Sequence, residues 1–452
     1  MAAPERPGQP RFVEGAPGVG DEYFPLAGNG GYDVQHYHLE LSYEPLDPEG
    51  PVEEATGRLD GVATIEFTAT ADLSRFNLDL RGLEVESVTV DGKRARYEHE
   101  GQELMISPRP KLRVGEDYTV VVTYGGTTGR PTDVTGELYG WVSTPDGAMV
   151  VNEPDGAPTW YPVNDHPTDK ATYSFEITVP EGSVAVANGL LVDQRTASGW
   201  STFVWDAPDS MASYLSTATI GNFVLSQRTT ADGLPIIDAI DRDLPPDAAA
   251  GLARTDEMIA FFTDLYGPYP FVAYGAIIDD DSVGYALETQ TRPIYSGPPP
   301  ETTVAHELAH QWLGNLVSPA RWQDIWLNEG WATYSEWLWL DHTDQQDIQS
   351  SFDEAYAVPA ESPFWNVVIG DPGPEDLFAG AVYDRGAMTL HLLREQLGYD
   401  AFFAFVRDWI ETYADSAATT DDFIALAQKY TDDDLTAFFD TWLYSPGKPS
   451  LP

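Results

Sequence analysis

The hydrophobic period of the chain changes once, near residue 228, and that change limits what each half can fold into. Before it, apolar residues recur every second position. Ala63, Ile65 and Phe67 alternate with Thr64, Glu66 and Thr68. Tyr118, Val120, Val122 and Tyr124 alternate with polar or smaller partners. Tyr173, Phe175, Ile177 and Val179 alternate with Thr172, Ser174, Glu176 and Thr178. Successive side chains of a strand point to opposite faces, so this pattern gives half-buried strands. Asp91-Gly92 and Gly125-Gly126 supply turns between them. An antiparallel β domain over 26–228 is the expectation, preceded by a flexible tail over 1–25 that is rich in Pro, Gly and Ala.

Beyond residue 228 the period becomes helical, and a second domain is expected over 229–452. Leu252, Ile259, Phe262 and Leu265 share a face within 247–266, a stretch that ends at Gly267-Pro268. Ala273 to Ile278 reads as a short apolar strand. Helices are predicted over 302–317, 329–341, 384–397, 400–414, 420–430 and 434–444, with Gly398 placed to stop the third. Pro446-Gly447-Lys448-Pro449 follows directly, which leaves no room for a third domain.

Charge narrows the function classes. The net charge is −49 and the pI about 4.1, so phosphate backbones and anionic membranes are repelled. A hydrated acidic surface accounts for most of that charge. The runs Asp279-Asp280-Asp281 and Asp432-Asp433-Asp434 lack the spacing of a calcium loop, and the second reads as an acidic helix start. There is no cysteine, which excludes disulfides and thiolate metal sites. No apolar run is long enough to span a membrane, and Met1 to Gly20 lacks the apolar core of a signal peptide. The chain reads as soluble, cytoplasmic as it stands or secreted with a signal already removed, and monomeric by default.

One motif carries chemistry. His306-Glu307-Leu308-Ala309-His310 is an HExxH sequence. On a helix, residues four apart share a face, so both imidazoles can reach one ion, and Thr302 or Thr303 is available as the cap. Zinc in a catalytic site takes three protein ligands and leaves a position open. Glu329, in Trp326-Leu327-Asn328-Glu329-Gly330, follows His310 with eighteen residues between them. That is room for one helix to end and a second to deliver a third ligand. Glu307 points off the ligand axis, placed to act as general base. Glu336, seven residues beyond Glu329, and Asp324 could hydrogen-bond a ligand histidine, but read more readily as ordinary polar positions. His391 reads as structural.

Four separated blocks together resemble the gluzincin aminopeptidases, the family of aminopeptidase N and leukotriene hydrolase, from about Tyr32 onward. The HELAHQW…WLNEG region is the first. Val382-Tyr383-Asp384-Arg385-Gly386-Ala387 is the second, and the resemblance makes Tyr383 the donor to the developing oxyanion. Gly284-Tyr285-Ala286-Leu287-Glu288-Thr289-Gln290 is similar to the family's exopeptidase strand GAMEN. Ala286 and Leu287 then fall on the substrate-binding strand, and Glu288 inherits the role of binding the substrate's free amine. Tyr285 stands where glycine is usual, Leu287 replaces methionine and Thr289 replaces asparagine. These departures fall on the strand contacts and the shape of the first pocket. The fourth block is Trp160 to Pro167, continuing to Lys170-Ala171. Just before it lies Glu153, which the resemblance makes a second amine ligand.

The resemblance implies a thermolysin-like catalytic domain, α/β then helical, behind the β domain. It implies one Zn²⁺ per chain on His306, His310 and Glu329, and peptide substrates with a free N-terminus. Larger members carry a C-terminal helical domain, and this chain stops soon after Trp442-Leu443-Tyr444. A more open cleft is therefore expected. An endopeptidase on the same metal site is the rival expectation.

Overall fold

The computed structural model describes residues 12–280 and 282–451. The alternating segments of the first half form an eight-stranded sheet. Its order is Leu190–Ala197, Trp200–Met211, Ala171–Pro180, Tyr32–Pro45, Gly57–Ala69, Asp117–Thr128, Glu84–Val90 and Lys93–Arg94. Phe67 lies opposite Tyr118, Ile65 opposite Val120 and Ala63 opposite Val122, all on the buried face. A slip of one residue would turn that whole set to solvent, which fixes the register. One seam departs from the expected antiparallel pattern: Ala171–Pro180 runs parallel to Tyr32–Pro45. A parallel pair needs a long crossover, and the intervening chain supplies it while building other strands of the domain.

A smaller sheet of Gly140–Ser143, Ala148–Val151, Ala218–Gly221 and Val184–Ala187 is almost wholly buried. It holds the segment that carries Glu153.

The tail expected over 1–25 is packed against the protein from Phe12 onward; residues 1–11 lie outside the described part. Val13–Glu14 pairs with Leu73–Asp79. The carboxylate of Asp21, 6% exposed, accepts from the Trp322 amide at 2.9 Å and lies 3.6 Å from His166. Burial opposes its ionisation, but His166 and the Trp322, Phe24 and Tyr23 amides hold it down at about 2. A buried carboxylate with those partners anchors a stretch that composition alone reads as loose.

The second half opens on a five-stranded sheet ordered Phe223–Thr229, Pro235–Asp241, Tyr274–Asp279, Ile294–Ser296 and Ala286–Leu287. Eight α-helices follow among the described residues: α1 (Thr255–Tyr266), α2 (Glu301–Ala309), α3 (Trp326–His342), α4 (Ile348–Tyr356), α5 (Gly380–Leu397), α6 (Tyr399–Tyr413), α7 (Thr420–Ala427) and α8 (Thr436–Trp442). Gly398, at φ 80°, ends α5 as its position predicts. Asp434 accepts from the Thr436 amide at the start of α8.

Three local expectations change. The helix predicted over 302–317 stops at Ala309. Beyond it Asn315, Leu316 and Val317 donate to carbonyls five residues back, and Gly314 takes φ 136°. In this widened stretch Lys170, from the β half, donates to the Asn315 and Leu316 carbonyls at 2.8 and 2.9 Å. Second, neither Thr302 nor Thr303 caps α2. Pro300 holds the cap position without a side-chain bond, and the helix starts at Glu301, ahead of both threonines. Third, α4 is a short helix without a predicted counterpart, capped by Asp347 on the Ser350 amide.

Helices α3 and α5 cross at two glycines. A Cβ on Gly330 would stand 2.8 Å from the Gly386 Cα, and one on Gly386 would stand 2.7 Å from the Gly330 Cα. Only glycines allow that approach. It brings Glu329 of α3 and Tyr383 of α5 to one place. A single apolar core joins both halves. No helix among the described residues is long and apolar enough to cross a membrane.

Candidate active site

Helix α2 carries His306, with His310 at its C-terminal cap, and α3 carries Glu329 in its first turn. His306 Nε2 and His310 Nε2 lie 3.3 and 3.6 Å from Glu329 Oε2. Three donors about 2.0–2.2 Å from one zinc in tetrahedral directions stand about 3.3 Å apart, so the residues fit that ion. The far ring nitrogens agree. His306 Nδ1 donates to Glu336 at 2.7 Å and His310 Nδ1 donates to the Leu313 carbonyl at 3.2 Å. Those bonds select the tautomer whose Nε2 lone pair faces the gap.

The electrostatics ask for a cation. Burial disfavours charge on both imidazoles, yet the surrounding carboxylates win. His306 is raised well above its usual range, by Glu329 and Glu336, and His310 to about 9, by Glu288 and Glu329. Burial pushes Glu329 the other way, but the two histidines pull it down to about 2.

Glu307 is 5% exposed on the same helix. Burial pushes its carboxyl up to about 8 against the pull of His306 and His310. The Tyr383 ring stacks on His306 with centroids 6.0 Å apart. Burial and then Glu329, Glu153, Glu288 and Glu307 hold its phenol far above ordinary titration, so it stays a hydrogen-bond donor.

Beside the triad stands a second acidic group. One oxygen each of Glu153, Glu288 and Glu329 lies within 4.8 Å of the others. Two charged carboxylates at that distance repel by about 3 kcal/mol at an effective dielectric of roughly 20. Burial and mutual repulsion raise Glu153 well above its usual range; burial also raises Glu288, with His310 opposing. Glu153 Oε1 and Glu288 Oε1 are buried without a hydrogen-bond partner. Glu153 follows a buried strand and Glu288 the edge strand Ala286–Leu287. Asn152 fixes the first by donating to the Ser216 carbonyl at 2.6 Å and accepting from Trp160 Nε1 at 3.0 Å. Asn315 Nδ2, at 2.7 Å, and Gln311 Nε2, at 3.3 Å, fix the second through the Glu288 carbonyl.

All nine residues singled out in the sequence converge here. Ala286, Leu287, Glu153 and Tyr383 also line an adjoining cavity of about 220 Å³. Glu336 matters more than its sequence position suggests, because the helical offset of seven from Glu329 puts it within reach of His306. Asp324 does not approach the site; its carboxylate pairs with Arg321 and accepts from Thr420. Lys170 and Gln311 stand in the quoted blocks without an assigned role, and Asn315 stands outside them. They act through backbone carbonyls, and no spacing rule marks such contacts.

Two family models match: the peptidase family M1 domain over residues 285–442 and the peptidase M1 N-terminal domain over residues 34–215. Among curated relatives, human endoplasmic reticulum aminopeptidase 1 is 28% identical over 78% of this chain and 42% of its own length. Rat glutamyl aminopeptidase is 26% identical over 92% of this chain and 48% of its own. The chain therefore spans under half the length of these curated relatives. Among solved structures, an M1 zinc metallopeptidase from Deinococcus radiodurans is 29% identical, with a TM-score of 0.86 over 96% of this chain and 98% of that one. A point mutant of that protein bound to a Tyr-Ser-Ala substrate matches with a TM-score of 0.87 at the same identity, over 96% of this chain and 99% of its own.

Proposed function

The chain belongs to peptidase family M1, and on that premise we propose that it is a zinc-dependent aminopeptidase hydrolysing the N-terminal bond of peptides. One observation carries this reading beyond metal-assisted hydrolysis in general. Carboxylate oxygens of Glu153 and Glu288 crowd within 4.8 Å of Glu329, and each residue also keeps a buried oxygen without a partner. A substrate ammonium supplies the donors and the charge that this group lacks.

His306, His310 and Glu329 would hold one zinc ion, which when bound supplies an acidified water and a Lewis acid for the scissile carbonyl. Glu307 takes the proton from the attacking water and delivers it to the leaving amine. Tyr383 donates its phenolic hydrogen to the developing oxyanion without ionising. Glu288 and Glu153 hold the ammonium, so the first peptide bond is the one presented. The adjacent strand Ala286–Leu287 is the edge of its sheet, which leaves backbone groups for an extended substrate.

Glu307→Gln is expected to lower kcat by about 10²–10⁴-fold while zinc content stays at one per chain. Full activity, or loss of the metal, would sink the assignment of Glu307. An endopeptidase is the rival reading. A peptide and its N-acetylated form decide between the two, because equal cleavage of both rules out the aminopeptidase.

A further inference from the structure

The cavity of about 220 Å³ beside Glu153 and Tyr383 is walled by Tyr285, Leu287, Leu138 and Phe378, and carries Asp133 and Glu137 as well. Among the described residues no lysine, arginine or histidine lines it. Arg81, which lines the neighbouring cavity, is committed to Asp155 at 3.4 Å and to the Tyr139 hydroxyl at 2.7 Å. The Glu137 side chain has no hydrogen bond or ion pair among the described residues, although its backbone is firmly placed. Its amide donates to Asp133 Oδ1 at 3.0 Å and its carbonyl accepts from the Asp133 amide at 2.9 Å. Asp133 Oδ1 also accepts from the Thr135 amide and hydroxyl, each at 2.8 Å. The next residue, Leu138, bridges to Thr132 and accepts from the Tyr285 hydroxyl at 2.7 Å. Tyr285 thus ties a loop of the β half to the exopeptidase strand of the catalytic half. It is also where the sequence departs from the family's usual glycine. Glu153, Glu137 and Asp133 line the cavity with Tyr285, and burial and then their charges raise its phenol.

We propose that this cavity receives the side chain of the substrate's first residue and selects a cationic one, arginine or lysine, with Glu137 as the specificity residue. Asp133 and Tyr285 position Glu137. The inference rests on the aminopeptidase reading, since the amine must sit at Glu153 and Glu288 for the side chain to enter here. Tyr285, Leu287 and Phe378 cover the aliphatic stem of such a side chain, and the charged head meets Glu137 at the rim.

The test uses arginyl, lysyl, citrullyl and leucyl reporters of one aminoacyl fluorogenic series. Citrulline has nearly the shape of arginine without the charge. The expected ratio of kcat/KM for arginyl over citrullyl is about tenfold, the size of one carboxylate contact at a partly solvated site. Glu137→Gln should collapse that ratio towards one through KM, with leucyl turnover within about twofold of wild type. Tyr285→Phe should shift the ratio in the same direction by less, because Glu137 loses only its positioning. Glu49→Gln removes the same charge from an exposed turn and should leave the ratio alone, which separates a placed carboxylate from the acidity of the whole surface. Equal arginyl and citrullyl turnover, or a ratio that survives Glu137→Gln or falls equally with Glu49→Gln, overturns the proposal and leaves the aminopeptidase reading standing. No turnover of any aminoacyl reporter overturns both.

Discussion

Two groups of buried carboxylates lie side by side in this protein, and they behave in opposite ways. Glu329 faces His306 and His310 and is drawn down to about 2 despite its burial. Glu153 and Glu288, within 4.8 Å of it, are pushed up, and each keeps an oxygen without a partner. Asp165 provides the control, since it is equally buried but its shifts come from no histidine or glutamate of the site. Burial raises it to about 7, with the Ser213 hydroxyl opposing. Burial is thus the largest force neutralising Asp165, and Glu329 stays charged against the same force because the fold aims two histidines at it. On the proposed reading, an ion completes the triad and a substrate amine completes the pair beside it.

That comparison can be broken in four places, taken from the largest expected effect to the smallest. Glu329→Ala removes the charge that gathers both histidines. Bound zinc should be lost and peptide turnover should fall by at least about a thousandfold; a variant that keeps its zinc, by metal analysis after dialysis, contradicts the ligand set. Glu288→Gln leaves the triad intact but removes half of the amine pair. Its kcat/KM for a free-amine peptide should drop by roughly 30-fold or more, the cost of an unpaired buried charge, with zinc content unchanged. An undiminished kcat/KM would mean that the amine sits elsewhere.

Glu336→Gln weakens the bond that orients His306. Zinc affinity, measured by competition with a chelator, should fall by about 10–100-fold, and an unaltered affinity would reduce Glu336 to a surface carboxylate. Asp165→Asn is the smallest change. The folded form holds the Asp165 proton up to about pH 7, while the unfolded chain releases it near 3.8. Between those values the native state binds more protons, so stability is full below the lower pH and declines as pH rises to the upper one. The variant keeps its bond with Ser213 and should lose that decline, by on the order of 2 kcal/mol in urea unfolding at pH 5 and pH 7.5. Parallel behaviour of the two proteins across that window would show that Asp165 does not carry the shift.

Legibility in the sequence followed the range of each interaction. His306 and His310 are one helical turn apart, so spacing puts them on one face without knowledge of the fold. The alternation at 63–67, 118–124 and 173–179 is likewise local, and each apolar set lies on the buried face. Glu153 and Tyr383 needed the family resemblance. Glu153 hangs from a strand of the β half, and Tyr383 reaches the site only because Gly330 and Gly386 let two helices touch. Glu336 was visible as a helical offset but could not be separated from a solvent-facing carboxylate.

The sequence by itself determined the two classes of secondary structure, the metal-binding turn of helix and the supply of acidic groups. Those follow from periodicity and charge, which act between residues a few positions apart. The tertiary structure decided which carboxylates would be charged, because that depends on what burial places around each one. It also decided where the HExxH helix ends, at Ala309, beyond which the winding widens and Gly314 takes φ 136°. Finally it tied Leu138, the neighbour of Glu137, to the strand before Glu288 through the Tyr285 hydroxyl, a contact between residues that no local rule connects.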